Sequence, residues 1–138
     1  MGLTLRNNVK DCDIELDGGY SILRTIRIEV AKQYDEEFGN YYQLFYDGYD
    51  RKKYINKLNN LLKDDRFKDE DNDLMEFLFA SDCEGKIGYK TCKKVYDLIK
   101  NSDNNCCLRY AIYSKNDWND LRELLLSCYK HRANLYWS

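Results

Sequence analysis

Apolar and polar residues alternate in two short segments near the start of the chain, LTLRN at 3–7 and DIELD at 13–17. A period of two is typical of strands that bury one face, and the residues between the segments suit a hairpin connection. The chain closes with the short aromatic segment NLYWS at 134–138. We expect it to pair beside the hairpin, so the pattern predicts a small antiparallel sheet made from both ends of the chain.

Between these ends the apolar residues follow the period of an α-helix. A first helix is predicted from Ile22, and Gly39 is placed to end it in a left-handed cap. Asp50 is placed to cap a second helix that runs to about residue 62. The connection between these two helices, at 41–50, is therefore expected to be a loop at the surface.

The second half of the chain shows three further helical patterns. Two short helices are predicted at 74–79 and 91–100, whereas 106–113 fits either a helix or a strand. A capping box formed by Ser114 and Asp117 opens the last helix. The apolar positions expected to face inward on that helix are Trp118, Leu121, Leu125 and Cys128.

These patterns predict one α+β domain over 1–138, mostly helical, with a small antiparallel sheet formed by the N-terminal hairpin and the C-terminal strand. A length of 138 residues suits a single domain, and 43% hydrophobic with 33% charged residues is ordinary for a globular protein. The net charge of −2 favours neither direct nucleic-acid binding nor an anionic membrane. Neither a signal peptide nor a membrane span is indicated, so we expect a cytoplasmic location.

The segment FLFASDCEGKIGYKTC at 77–92 places acids and a glycine between two predicted helices. A calcium loop of the EF-hand type would put Gly85 at position six, with Asp82 and Glu84 at positions three and five. Positions one and twelve would then be Ala80 and Thr91, which lack the carboxylates that fix calcium affinity. Calcium binding is therefore disfavoured.

Zinc is a second interpretation of the same segment. Cys128 and His131 have the spacing that puts two ligands on one face of the last helix. Cys83 and Cys92 could supply the other two ligands, although their spacing is not that of a zinc knuckle. Cys128 also lies on the apolar stripe, where packing of a free thiol explains it more simply. We therefore expect no metal and no other cofactor.

A bare turn is the third and simplest interpretation. Ser81 or Asp82 would cap backbone amides, and Gly85 would adopt a left-handed φ. Cys83 and Cys92 would pack beneath the turn as free thiols, as expected in a reducing compartment.

The motif SDCEGKI, a cysteine nine residues after Cys83, an N-terminal MGL strand with an aromatic and basic helix, and the terminal HRANLYW together resemble small uncharacterised proteins of phages and prophages. In that family the segment is similar to H-S-D-C-D-G. Here Ala80 replaces the histidine and Glu84 replaces the second aspartate. The resemblance implies an origin in a mobile element, and it implies no particular activity.

Eight aromatic residues fall within the 21 positions from Tyr34 to Tyr54, more than one buried face easily holds. Exposed aromatic side chains are frequent anchors of protein interfaces, and the two acids within 41–50 would favour a partner with a basic surface. The predicted partner-binding residues are Tyr41, Tyr42, Tyr46, Asp47, Tyr49 and Asp50.

For catalysis the sequence offers little. His131 is the only histidine, and no phosphate loop, nucleophile elbow or zinc-protease motif occurs. We therefore predict a non-enzymatic protein-binding module in the cytoplasm of a bacterial host. With the phage resemblance, the hypothesis becomes an inhibitor of a host defence or nucleic-acid-processing enzyme, similar in role to an anti-CRISPR protein. The alternatives are a zinc-dependent regulatory protein and a small Cys/His enzyme, the latter pairing His131 with Cys83 or Cys92.

Overall fold

The computed structural model describes residues 4–138 except for 11, 13, 18–19, 68 and 103–114. Within this part the chain forms six α-helices and a four-stranded antiparallel sheet, which confirms the predicted mostly helical α+β class. The helices are α1 Tyr20–Tyr34, α2 Glu36–Tyr46, α3 Arg51–Leu61, α4 Asn72–Phe79, α5 Tyr89–Ile99 and α6 Lys115–His131. The strands are β1 Thr4–Arg6, β2 Glu15–Asp17, β3 Gly85–Ile87 and β4 Leu135–Trp137.

The two ends of the chain meet in the sheet, whose strand order is β2-β1-β4-β3. Leu5 of β1 lies opposite Leu16 of β2 on one side and Trp137 of β4 on the other. The predicted hairpin and terminal strand are therefore confirmed. Strand β3 was not predicted, because the acids and the glycine of 77–92 favoured interpretation as a metal loop or a turn.

The first predicted helix is two helices, and the prediction that Gly39 ends it is wrong. The chain breaks at Asp35, whose extended backbone (φ −160°) and carboxylate cap α2 by accepting the Phe38 N–H at 2.9 Å. Gly39 lies inside α2, where a Cβ would stand 2.4 Å from the Cα of Lys32. Glycine is therefore used here to let α1 and α2 approach closely.

Helix α1 is the centre of the core, because it packs against α2, α4 and α5 and is buried from Ile22 to Ala31 except at Arg24. On the last helix, the four positions predicted to face inward are all buried, as expected. The undecided segment 106–113 and the predicted capping box at Ser114 lie outside the described residues.

Gly85 does not adopt the predicted left-handed backbone. It belongs to β3, pairs with Trp137 of β4, and lies against the indole ring. A Cβ at this position would be 2.4 Å from Cζ2 of Trp137. Close approach of the ring, and not a positive φ, is the reason for glycine here.

Candidate functional site

Two buried side chains hold the turn at 80–84 by hydrogen bonds to its carbonyl oxygens. Arg27, which is buried in α1, donates from Nη2 to the carbonyl oxygens of Ala80 (2.9 Å) and Ser81 (3.3 Å). The indole Nε1 of Trp137 donates to the same Ser81 oxygen at 3.0 Å. The Ser81 hydroxyl in turn accepts the N–H of Cys83 at 3.2 Å, so the predicted capping role of Ser81 is confirmed. Cys83 itself is exposed, and its predicted packing beneath the turn is wrong.

The guanidinium of Arg27 is compensated without a carboxylate among the described residues. Its central carbon lies 5.6 Å from the ring centre of Phe77 and 5.8 Å from that of Trp137. Electrostatic attraction to ring faces is strongest where water is excluded, as it is here. The Nε–H has no acceptor in the part of the chain that the structure describes, so carbonyl oxygens and aromatic rings carry the compensation there. This arrangement ties the turn rigidly to α1.

A cavity of about 260 Å³ opens beside the turn, and we call it the aromatic cavity. Phe79 of α4 forms part of its wall, is 39% exposed, and packs on Phe45 of α2 with ring centres 6.0 Å apart. Arg51 of α3 lies over the outer wall, 5.3 Å from the Phe45 ring centre. The residues that line it include Arg27, Phe45, Tyr46, Arg51, Phe79 and Asp82.

Of the predicted contact residues, Tyr42 is not at the surface, and its assignment as a contact is wrong. Its side chain is fully buried (0% exposed), and its hydroxyl donates to the carbonyl oxygen of Leu78. Burial raises the pKa of Tyr42 above its ordinary range, although the charge of Arg27 opposes the shift. The predicted loop at 41–50 is largely the helix α2, whose inner face includes Tyr42.

The other three tyrosines of this segment differ in exposure. Tyr49, in the turn after α2, is 65% exposed. Tyr41 is half-buried against the ring of Tyr54, with centroids 6.1 Å apart. Tyr46 is half-buried and lines the aromatic cavity, where burial raises its pKa while Arg27 acts in the opposite direction. A partner could therefore contact most of the Tyr49 side chain but only part of Tyr41 and Tyr46.

The two predicted acidic contacts are engaged within the chain. Asp47 forms an ion pair with Arg24. Asp50 has a left-handed backbone (φ 40°) and accepts the N–H of Lys53 at 3.3 Å, which confirms its predicted capping of α3. By contrast, Asp82 and Glu84 in the turn at 80–84 are exposed, and neither forms an ion pair with a described residue.

The structure does not bring the four suggested zinc ligands together. Cys92 and Cys128 are buried side by side between α5 and α6. The interaction of the two thiols raises the pKa of Cys92 and lowers the pKa of Cys128, whose sulfur accepts a hydrogen bond from the Asn7 amide at 3.5 Å. Cys83 and His131 are exposed, and the described residues contain no cluster of three or more potential metal ligands.

The position that would end a calcium loop has another role. The Thr91 hydroxyl donates to Asp73 at 3.0 Å, and Lys94 forms an ion pair with the same carboxylate at 2.7 Å. These contacts join α4 to α5 from outside the turn. Thr91, at position twelve of the calcium-loop alignment, is therefore used to join two helices.

His131 is not placed beside either of the cysteines suggested as a nucleophile. Its Nδ1–H donates to the carbonyl oxygen of Ser127 at 3.0 Å, and the ring is exposed. It lines a surface cleft of about 390 Å³ together with Cys12 and Glu123. Among the described residues, neither Cys12 nor Glu123 forms a hydrogen bond with the imidazole.

Sequence reasoning missed Phe79, Arg27 and Asp82 as parts of the cavity. Phe79 ends an apolar run after the buried Phe77 and Leu78, and only its helical phase shows that it faces outward. Arg27 interrupts the apolar residues of α1, which is the one local signal that it has a special role.

Within the described part of the chain, every helix is too short or too polar to span a bilayer. Comparison of the chain with protein-family models, with curated proteins and with solved structures finds no match.

Proposed function

We propose that the protein is a non-enzymatic binding module that contacts another protein through the aromatic cavity and the adjoining turn of Tyr49. The observation that carries the proposal is the position of Phe79, which is 39% exposed on the wall of a concave site. Large aromatic groups at a partly dry concavity are the usual anchors of protein interfaces.

The rigidity of the site supports this function. The turn at 80–84 is held by hydrogen bonds from Arg27 and Trp137, so little ordering entropy is lost when a partner binds. The two helices that form the wall meet through Phe45 and Phe79. A partner side chain would therefore enter a site whose walls are already in place.

The acids of the turn beside the cavity support a basic partner, although they are different acids from those expected and the cavity wall itself carries Arg27 and Arg51. Asp82 and Glu84 are exposed in the fixed turn, whereas Asp47 and Asp50 are engaged within the chain. Acids at the rim of an interface accelerate association with a basic surface and make it sensitive to salt. The phage resemblance extends the proposal to a host defence or nucleic-acid-processing enzyme with such a surface, in the bacterial cytoplasm.

The test is affinity capture from a nuclease-treated bacterial lysate, followed by direct binding measurements on each identified protein. The variants Tyr49→Ala and Phe79→Ala should each weaken binding at least about five-fold, the threshold of a measurable interface contribution. Tyr96→Ala is the control, because Tyr96 is a half-buried tyrosine of α5 that lies outside the cavity. The double variant Asp82→Asn/Glu84→Gln should slow association and reduce its dependence on salt.

Equal binding by the parent, Tyr49→Ala and Phe79→Ala would contradict the proposal, provided that all three melt alike. Tyr42→Ala is unsuitable for this test because removal of a fully buried ring unfolds or weakens the core. A turnover activity that depends on His131 would favour the enzyme alternative instead.

A further inference from the structure

Another cleft, of about 480 Å³, shares no lining residue with the aromatic cavity. Its walls come from the start of α5 and the end of α6. We call it the basic cleft, and its lining residues are Tyr89, Lys90, Tyr129, Lys130 and Arg132.

The positive charge of the basic cleft is not neutralised within the described chain. Lys90, Lys130 and Arg132 are exposed and form no ion pair with a described residue. By contrast, the neighbouring Lys93 pairs with Asp97 at 2.6 Å. A protein with a net charge of −2 therefore gathers three unpaired cations around one concavity.

Aromatic rings alternate with these cations. The rings of Tyr89 and Tyr129 lie 6.5 Å apart, and Tyr129 is 41% exposed. Lys90 lies 6.0 Å from the centre of the Tyr89 ring, and Lys93 lies 5.5 Å from that of Tyr129. Alternation of rings that can stack on bases with cations that can reach phosphates is typical of single-strand binding surfaces.

Arg132 has a backbone conformation that its residue type disfavours. The end of α6 closes with hydrogen bonds from the Ala133 N–H to the Cys128 oxygen (2.9 Å) and from the Arg132 N–H to the Tyr129 oxygen (3.3 Å). This pairing is a Schellman motif, which places Arg132 at the left-handed position (φ 51°) where glycine is the favoured residue. A cation at a helix C-terminus is favourable, but Lys130 already provides one without strain. An exposed arginine that lines the cleft therefore occupies a position at which glycine would be less strained.

The N-terminus of α5 adds to the positive potential of the same cleft. The N-cap residue, Gly88, offers no side-chain acceptor to the first turn, and that turn contains no acid. Its N–H groups and the helix dipole consequently remain available beside Tyr89 and Lys90.

We infer that the basic cleft binds single-stranded nucleic acid, with bases stacking at Tyr89 and Tyr129 and phosphates contacting Lys90, Lys130 and Arg132. The sequence alone favoured no direct nucleic-acid binding, because the net charge is −2. The fold brings cations of α5 and α6 together around one cleft. An acidic protein would satisfy the cations but would not need the exposed rings. This inference is independent of the proposed protein interface.

The test is fluorescence anisotropy with a labelled oligothymidylate of about 12 nucleotides, a length in the range covered by small single-strand binding sites. Binding should be saturable at low salt. The logarithm of the dissociation constant should rise with the logarithm of the salt concentration with a slope of about 2, since each of three phosphate contacts contributes about 0.7.

Arg132→Gly is the decisive variant. It removes a phosphate contact and relieves the left-handed strain, so it should lower the salt slope by about 0.7 while leaving the melting temperature equal or higher. Weaker binding by a variant that is at least as stable cannot be attributed to unfolding. Tyr129→Ala should weaken binding about ten-fold through lost stacking. The control Lys52→Ala removes an exposed lysine of α3 and should bind like the parent.

Three results would overturn the inference. The first is no anisotropy change for the parent protein at low salt. The second is equal affinity of the parent and Arg132→Gly. The third is equally effective competition by polyglutamate of matched charge, which would show that the cleft accepts acidic polypeptides without using its rings.

Discussion

Gly85 lies face to face with Trp137 across β3 and β4, and the indole occupies the space where any other residue would place its Cβ. The same indole donates to the carbonyl oxygen of Ser81 and lies beside the guanidinium of Arg27. The glycine thus determines where the tryptophan sits, and the tryptophan helps to hold the turn beside the aromatic cavity.

Gly85→Ala should lower the free energy of unfolding by about 1–3 kcal/mol, the usual cost of overpacking a filled site. The cause is the 2.4 Å approach of the new methyl group to Cζ2 of Trp137. Chemical denaturation monitored by circular dichroism measures the change. Gly88→Ser is the control, because its Cβ meets only the Asn134 side chain at 3.9 Å and serine is a good N-cap. A parent-like Gly85→Ala would show that the ring can shift freely.

Trp118→Ala should reduce the free energy of unfolding by about 3–5 kcal/mol, because the indole is only 1% exposed. Trp118→Phe should cost less, since it keeps an aromatic ring and removes a buried Nε1–H that has no acceptor among the described residues. Denaturant midpoints of the two variants provide the comparison. Equal midpoints for the parent and Trp118→Ala would contradict the buried position of this residue.

Asp73 predicts a specific dependence of stability on pH. Burial of its carboxylate acts to raise the pKa, but hydrogen bonds from Lys94 and Thr91 outweigh this and lower it. A folded-state pKa below the unfolded value of about 3.9 contributes stability above about pH 4, which is lost as the pH falls through the lowered pKa. Asp73→Asn should therefore be destabilising at about pH 7, and its free energy of unfolding should approach that of the parent as the pH falls through the lowered pKa.

The matched control for that titration is Asp97→Asn. Asp97 pairs with Lys93 on an exposed face of α5, where ion pairs contribute little. At about pH 7 this variant should lower the free energy of unfolding by no more than about 1 kcal/mol. A constant difference between the parent and Asp73→Asn across the titration would show that charge on Asp73 is not the source of its contribution.

Chelation of metal ions should leave the melting temperature of the protein unchanged. Because Cys83 and His131 are exposed while Cys92 and Cys128 are buried, EDTA should not shift the melting temperature. Calorimetry with and without EDTA measures this directly. Stoichiometric zinc by elemental analysis, together with a lower melting temperature after chelation, would contradict the expectation.

The sequence predicted the structure correctly where the pattern of apolar residues is local and periodic. The inward face of α6 follows from the spacing of Trp118, Leu121 and Leu125, which no tertiary contact has to modify. Gly39 was misassigned because a glycine at a helix end and a glycine at a helix crossing give the same local pattern. Only the position of Lys32 on α1, 2.4 Å from a Cβ at residue 39, distinguishes them.

The candidate sites were harder to predict because they depend on which face of an element is covered. Tyr42 and Tyr49 have the same chemistry, yet one is fully buried and the other is 65% exposed. The basic cleft depends on α5 and α6 meeting, so Lys90 and Lys130 had no visible relationship in the sequence.

The pairing of β1 with β4 joins residues from opposite ends of the chain, and Thr4 and Ser138 exchange two backbone hydrogen bonds of 2.9 and 3.2 Å. Closing so long a loop carries a large entropic cost and slows folding. A circular permutant that links these neighbouring ends and opens the chain in the exposed turn at 63–66 would turn this pairing into a local hairpin. The same native contacts would then form over a short span of chain, and the permuted protein should reach them sooner.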